Sequence, residues 1–483
     1  MDWSAWGILI LSLAYVVLLV GEMCRLVLEN RNPVRTLAWL IVLVTLPFIG
    51  IFLFYHIGLN YRKRKIFNKK GLGDQKWLQD LSIYQRKSVS KHKILQNSSY
   101  VSERKLMTLL LNNSKALITS DNSIRIFSSG NDAFDAIFSA VSHARRFIHM
   151  EFYIVEEGEL AGKLKELLCR KAAEGVEVRF IYDDVGSWNL SKNYINELRQ
   201  NGVKIYPFLP LKIHRRKANY RNHRKIVVVD GEIAFMGGVN IADRYVYGSD
   251  LGRWRDTLLQ IHGESVSSLQ MIFLTDWYFV SQESLFQHEN YLTGTVYNPA
   301  GNSIVQVISS GPDSDWDSIR QAYTSLVNMS ERHVYISTPY FMPGEPMLNT
   351  LKIAAMSGAD VRVMIPNRSD VKLAYWCSRS YVGELLEAGV RVFLYMPGIN
   401  HSKVVSVDGR IAAVGSANVD LRSLDENFEV SMMIYDADVV QKIEYEYLED
   451  IKNCKEIDRD EWGRRSHLDQ IKESFSRLFA PIL

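Results

Sequence analysis

Two short stretches of this 483-residue chain carry the same chemistry-bearing pattern. The first reads His223-Arg224-Lys225, then Asp230-Gly231, then Gly237-Gly238-Val239-Asn240. The second reads His401-Ser402-Lys403, then Asp408-Gly409, then Gly415-Ser416-Ala417-Asn418. The histidines stand 178 residues apart (401 − 223). His and Lys two apart in an extended segment point to one face. Asp-Gly between apolar runs signals a two-residue hairpin turn. The returning strand then brings small residues and an asparagine back beside His and Lys. A phosphate lodged there would meet a nucleophile-capable imidazole, an ammonium and an amide donor. One such pattern can be an accident, but two with the same tail are not.

The elements that must hold these residues also come in two copies. Residues 147–154 read as a buried strand, followed by a helix over 160–174, Gly175 and a strand over 176–182. The second half repeats this with 334–341, a helix around 347–357, Gly358 and a strand over 361–366. Residues 197–201 close a helix before Gly202 and the strand 203–208, as 384–388 do before Gly389 and the strand 390–395. Each glycine fits the position after a helix C-terminus, where a positive φ is needed. Alternating strands and helices imply βαβ units and a largely parallel sheet. Two copies of one unit suggest a pseudo-twofold pair of α/β/α domains with a site where they meet.

The first sixty residues depart from the globular average. Residues 3–20 and 36–60 contain no charge, and each run is long enough to cross about 30 Å of hydrocarbon. The polar link between them holds Arg25, Arg31 and Arg35 and is broken at Asn32-Pro33. The expectation is a transmembrane helical hairpin over 1–61, with spans of about 3–24 and 36–59. No basic residue precedes the first apolar run, which disfavours a cleaved signal peptide. Arg62, Lys63, Arg64, Lys65, Lys69 and Lys70 follow the second run and favour a cytoplasmic body. A basic linker and helical segment (62–109) then leads to α/β domains over 110–292 and 293–483.

Composition narrows the partners. A net charge of +3 is too small to argue for nucleic acid. Four scattered cysteines, Cys24, Cys169, Cys377 and Cys454, include no C-x-x-C pair, so neither a disulfide framework nor a Cys-based zinc site is expected. None of the eleven histidines falls in a metal-ligand spacing such as H-E-x-x-H, and no glycine-rich nucleotide loop is present. Neither a cofactor nor a metal is expected.

The paired motifs resemble the HKD signature of the phospholipase D superfamily. The likeness narrows to the bacterial cardiolipin synthases on Asn30-Arg31-Asn32-Pro33, Leu46-Pro47-Phe48-Ile49-Gly50, Glu151-Phe152-Tyr153-Ile154, Thr338-Pro339-Tyr340-Phe341 and Asn427-Phe428-Glu429-Val430. It covers nearly the whole chain. Ile241-Ala242-Asp243-Arg244 departs from the family's usual Ile-Gly-Asp-Glu, at a flank of the motif.

That resemblance implies a bacterial membrane enzyme acting on phosphatidylglycerol. His223 would attack phosphorus to form a phosphatidyl-histidine, and His401 would act as acid and then base. The reverse assignment stays open, because two pseudo-symmetric groups are not separable by sequence. The signature's letters give the catalytic set as His223, Lys225, Asp230, His401, Lys403 and Asp408. The residues themselves nonetheless give Asp230 and Asp408 a turn role. Asn240 and Asn418 would donate to the phosphate oxygens, and Gly238 and Ser416 would be small to admit them. Asp256 and Glu429 would each orient an imidazole.

Two further features remain open. Lys212, Arg215, Arg216, Lys217, Arg221 and Arg224 form a basic cluster, either a collector of anionic headgroups or a solvated loop. Leu468, Ile471, Phe475, Leu478, Phe479 and Ile482 recur at helical intervals, as an interfacial or an ordinary docking helix. Rival functions are a phospholipase D that uses water, a phosphatidylserine synthase, a nuclease and a non-catalytic membrane scaffold. The hairpin disfavours the nuclease, and two complete motifs disfavour the scaffold.

Overall fold

The computed structural model describes residues 3–28, 33–46, 48–54, 103–211, 220–286, 291 and 301–482. The chain divides into two compact units, residues 1–62 with 211–219, and residues 63–210 with 220–483.

In the first unit, helices α1 (Trp3–Leu28), α2 (Pro33–Thr45) and α3 (Ile49–Leu53) pack around Leu26, Leu43 and Phe54. The Trp39 and Phe54 rings meet edge to face at 5.5 Å. Leu13, Val17, Val20, Leu37, Ile41 and Val44 are exposed. Side chains of α1 are described continuously over 13–28, and among the described residues no helix is long and apolar enough to cross a membrane. The stretch expected as one span over 36–59 is not one helix. It stops at Thr45, where Pro47 follows and removes a backbone donor, and resumes at Ile49. Residues 55–59, Asn30-Arg31-Asn32, the basic run 62–70 and most of the linker lie outside the described residues.

The second unit is built on one sheet. Its first half supplies β1 (Ile118–Phe127), β2 (Phe147–Phe152), β3 (Glu177–Asp183), β4 (Lys204–Phe208), β5 (Ile226–Val229), β6 (Ile233–Gly237), β7 (Arg253–Arg255) and β8 (Leu258–Gly263). The second half supplies β9 (Ser303–Ser310), β10 (His333–Ser337), β11 (Phe341–Met342), β12 (Asp360–Pro366), β13 (Arg391–Tyr395), β14 (Gly398–Asn400), β15 (Val404–Val407), β16 (Ile411–Gly415), β17 (Val419–Asp420), β18 (Glu429–Ile434) and β19 (Cys454–Glu456). Fifteen strands run in the order β19-β13-β12-β10-β15-β16-β18-β9-β1-β8-β6-β5-β2-β3-β4. Read outward from the β9–β1 seam, the two halves repeat one another, with β19 added at one edge. The halves are therefore not independent domains, because antiparallel pairing of β1 with β9 makes them one sheet. The expected boundary at 292/293 falls outside the described residues.

The sheet is mixed, which corrects the expectation of a largely parallel one. Only β2-β3-β4 and β10-β12-β13 are parallel. The Asp-Gly hairpins are the physical reason, because each turns the chain straight back, pairing β5 with β6 and β15 with β16 antiparallel. Their runs Ile226-Val227-Val228-Val229 and Val404-Val405-Ser406-Val407 are buried throughout, as expected for strands covered on both faces. The helix-stop glycines Gly175, Gly202, Gly358 and Gly389 all have positive φ.

Asp230 and Asp408 occupy the first position of each turn at φ 55° and 57°, followed by Gly231 at 70° and Gly409 at 68°. Two successive positive φ values define the hairpin turn that matches strand twist. The Asp230 carboxylate accepts from the backbone N–H groups of Arg145 (2.8 Å), Arg146 (2.8 Å) and Phe147 (2.9 Å). Asp408 accepts from Glu331, Arg332 and His333, each at 2.8 Å. These bonds fix where β2 and β10 begin. Asp230 and Asp408 thus leave the catalytic set, since each lies across a four-residue strand from its His-x-Lys pair and its carboxylate is bound to backbone.

Asp230→Ala should lower the melting temperature by the equivalent of about 2–3 kcal/mol, the worth of hydrogen bonds to a charged acceptor. Asp408→Ala should do the same. A thermal melt unchanged from the parent would refute the structural role.

Candidate active site

His223 and Lys225 lie just ahead of β5, and His401 and Lys403 just ahead of β15, in extended lead-in segments rather than within the strands. Each lead-in pairs with the opposite half. Asn222 bridges Phe428 in parallel, the His223 N–H donates to Phe428 O (2.9 Å), and the Phe428 N–H donates to Arg221 O (2.9 Å). In the mirror arrangement β14 pairs with β7 in parallel and the His401 N–H donates to Arg255 O (2.7 Å). The residues that follow these partners are Glu429 and Asp256.

Consequently each imidazole meets a carboxylate from the other half. His223 Nδ1 lies 3.0 Å from Glu429 Oε2, and His401 Nδ1 lies 2.7 Å from Asp256 Oδ2. All four side chains are buried. A ring that donates Nδ1–H to a carboxylate is held in the tautomer whose Nε2 is free.

The charges of the two halves act on one another. Burial lowers Lys225 well below the ordinary lysine value, while Glu429 and Asp256 pull it up and Lys403 pushes it down further. Lys403 is likewise lowered by burial and countered by Asp256 and Glu429. Burial depresses both imidazoles to about 4; Glu429 counters this at His223, and Lys403 adds to it at His401. The Lys403 charge also acts on His223, so the two motifs share one electrostatic site. Although burial alone would raise them, Lys403 and His401 hold the Asp256 carboxyl low, and His223 and Lys225 hold Glu429 low. Burial thus favours the neutral form of both rings.

The two sides are not identical. Lys403 Nζ sits 2.6 Å from His401 Nδ1, and the Tyr245 hydroxyl lies 3.2 Å from the same atom. His223 Nδ1 has Glu429 as its partner, and Glu429 is held from behind by the Ser416 hydroxyl. Tyr153 lies edge-on to His223 at 4.8 Å between ring centroids, and Tyr340 lies edge-on to His401 at 6.5 Å.

Several expected roles shift. Gly238 and Ser416, expected to clear a path for phosphate, both stand against the carboxylates. A Cβ on Gly238 would meet Asp256 Oδ1 at 2.1 Å, and the Ser416 hydroxyl donates to Glu429. Asn240 uses Nδ2 to hold the Tyr245 hydroxyl (2.8 Å) and Oδ1 to accept from the Ile154 N–H (3.1 Å). Asn418 Nδ2 donates to Asp420 Oδ2 (2.9 Å). Each amide nitrogen carries two N–H groups, of which these bonds use one. Arg221 and Arg224 are not headgroup collectors, because both are buried and paired, with Asp183 and Asp276. Lys212, Arg215, Arg216 and Lys217 lie outside the described residues. Among the described residues, no group of His, Cys, Asp and Glu is arranged to hold a metal ion.

Sequence reasoning assigned no role to Tyr245, Tyr153 or Tyr340. The latter two stood within the quoted likenesses at corresponding strand ends. Tyr245 had no signal beyond its nearness to Asn240.

With this geometry in hand, the comparisons are specific. The family model "Cardiolipin synthase, PLD-like domain" matches residues 137–277 and 323–451, one match around each His-x-Lys pair. "Phospholipase_D-nuclease N-terminal" matches residues 5–58. A cardiolipin synthase of Geobacillus sp. (strain WCH70) is 42% identical over 94% of this chain and 90% of its own. Cardiolipin synthase 2 of Bacillus anthracis is 40% identical over 95% of this chain and 89% of its own. Phosphatidylserine synthase of Haemophilus influenzae shares the fold at a TM-score of 0.62 and 16% identity, covering 80% of this chain and all of that one. The chain therefore belongs to the bacterial cardiolipin synthases, phosphatidyltransferases of the phospholipase D superfamily.

Proposed function

We propose that this cardiolipin synthase joins two phosphatidylglycerol molecules, with His223 as the nucleophile and His401 as the acid and base. The observation that carries the reading is the pair of histidine–carboxylate contacts made across the halves. Histidine Nε2 of residue 223 attacks the phosphorus of a first phosphatidylglycerol. The P–O bond to the terminal glycerol breaks, and that oxygen takes the proton from His401 Nε2. Glycerol leaves. His401 then accepts the proton of a terminal hydroxyl on a second phosphatidylglycerol, whose oxygen attacks the same phosphorus. The P–N bond breaks and cardiolipin is released. Splitting one displacement into two lets a poor nucleophile act through a better one.

The asymmetry of the site supports this division of labour. His223 has a carboxylate at Nδ1, a setting that leaves a lone pair on Nε2. His401 Nδ1 has both an acceptor, Asp256, and a donor, Lys403. The ring can therefore present Nε2 with or without a proton. An arriving phosphodiester brings negative charge, which raises both imidazoles from their depressed values and allows His401 to carry a proton at neutral pH. Lys225, Lys403 and the free N–H groups of Asn240 and Asn418 would take up charge on the non-bridging oxygens.

The membrane hairpin belongs to the same proposal. Supporting it are the uncharged runs 3–20 and 36–60 and the exposed apolar side chains of α1 and α2. The basic residues from Arg62 onward favour a multi-pass protein with its catalytic body in the cytoplasm.

Purified protein given phosphatidylglycerol alone should release one glycerol per cardiolipin formed, whereas phosphatidic acid without cardiolipin would sink the reading. A phosphatidyl donor with a nitrophenol leaving group needs no acid. His401→Ala should therefore still give one equivalent of nitrophenol and a lipid adduct on residue 223, while His223→Ala should give neither. An adduct on residue 401 in the parent enzyme would reverse the assignment.

Glu429 raises His223 toward the working range, so Glu429→Gln should depress that ring further and weaken it as a nucleophile. The expected loss is about 10³–10⁴-fold in kcat with little change in KM, as for a buried carboxylate that orients a catalytic histidine. A loss below tenfold would contradict the orienting role.

A further inference from the structure

The C-terminal helix His467–Arg477 faces the wrong way for a helix docked by its apolar side. Ser466 caps it, accepting from the Asp469 N–H at 3.1 Å. Its inward face is polar. Glu473 and Ser476 are buried, and Glu473 accepts from Arg465 Nε (2.9 Å) with Arg379 Nε 4.0 Å away. Arg477 pairs with Glu384 at 2.6 Å and stacks over Tyr381 at 4.3 Å. Leu468, Ile471 and Phe475, with Leu478 just beyond, fall at intervals of three, four and three on the outward face. Their exposures are 70%, 63%, 59% and 75%. A soluble protein does not gain from turning its ion pairs inward and a leucine-type stripe outward.

Two further observations say what covers this stripe. Lys472 lies over Trp376 at 4.6 Å beside it, the aromatic and long-chain cation that sit at a lipid–water boundary. The helix is also contiguous with the catalytic side. It packs on the helix Lys372–Arg379, which follows Asp370, and Asp370 accepts from the Tyr340 hydroxyl at 2.6 Å. Tyr340 is the ring facing His401. A site whose substrates are bilayer lipids thus has an unpartnered apolar stripe on an element linked to its wall.

We propose that the helix His467–Arg477 is a membrane-surface contact, with Leu468, Ile471, Phe475 and Leu478 seated at the headgroup–acyl boundary of the bilayer that supplies the substrate. It is a second attachment besides the hairpin, and it holds the catalytic unit against the lipid surface. The inference rests on the lipid-transferase reading, and a soluble substrate separates the two.

The test uses the full chain reconstituted into phosphatidylglycerol–phosphatidylethanolamine vesicles. A spin label placed by Ile471→Cys, in a background with the native cysteines replaced by alanine, should be accessible to oxygen and shielded from a water-soluble nickel chelate. The same label at Arg464→Cys should show the opposite. The combined change Leu468→Ser, Ile471→Ser, Phe475→Ser, Leu478→Ser should lower kcat/KM on vesicle lipid by at least about tenfold. It should leave turnover of monomeric dihexanoyl phosphatidylglycerol within about twofold, because none of the four residues lies in the catalytic set. Equal nickel access at both labels, or unchanged activity on vesicles, would overturn the proposal. So would loss of both activities, or a label already shielded in detergent by a second copy of the chain. Loss of dihexanoyl phosphatidylglycerol turnover in the parent enzyme would instead overturn the lipid-transferase reading.

Discussion

Each motif histidine is met by a carboxylate that its own half does not supply. Glu429 comes from the second half and serves His223, and Asp256 comes from the first half and serves His401. The constraint is set in backbone before any side chain is placed. Two short parallel contacts, around Asn222 with Phe428 and β14 with β7, put each carboxylate behind the opposite ring. Those contacts need the halves held in fixed register, and the β1–β9 seam of the continuous sheet provides it. Neither half could orient its own imidazole alone, so an active chain carries both.

Burial gives these contacts their weight. Three ionisable groups of each half, an imidazole, an ammonium and a carboxylate, are taken out of water, where an unpaired charge is costly. Burial lowers the lysines and histidines, and the Lys and His groups beside them hold both carboxyls low against the same burial. The same low dielectric that depresses the imidazoles makes each hydrogen bond to the transition state count for more. The two motifs depart from symmetry, with Ser416 behind Glu429 and Gly238 opening space for Asp256.

Much of this was legible in the sequence because it repeats. The duplicated His-x-Lys pairs, the Asp-Gly turns and the helix-stop glycines are local signals; the structure places the turns and glycines as read and sets the pairs just ahead of their strands. Asp230 and Asp408 show the value of reading residues beside a signature, since the turn chemistry gave their role and the signature's letter did not. What failed was non-local. Sheet direction depended on how hairpins insert between parallel units, and the single sheet depended on a seam between strands far apart in sequence. The exchange of carboxylates between halves had no sequence signal, because Asp256 follows the first motif and Glu429 the second. The small residues Gly238 and Ser416 looked like clearance for a ligand; Gly238 stands where a Cβ would strike the Asp256 carboxylate, and the Ser416 hydroxyl donates to Glu429.

In the proposed reaction two rings, each oriented from the opposite half, face one phosphorus atom. A crystal structure of the full chain with orthovanadate tests it most directly, because vanadate adopts the five-coordinate geometry of the transferring phosphoryl group. The expected result is a single vanadium bonded to Nε2 of His223, its far apical oxygen hydrogen-bonded to Nε2 of His401, with Glu429 and Asp256 still on the two Nδ1 atoms. Vanadate bound separately at each histidine, or a ring whose Nδ1 has left the opposite half's carboxylate, would contradict it.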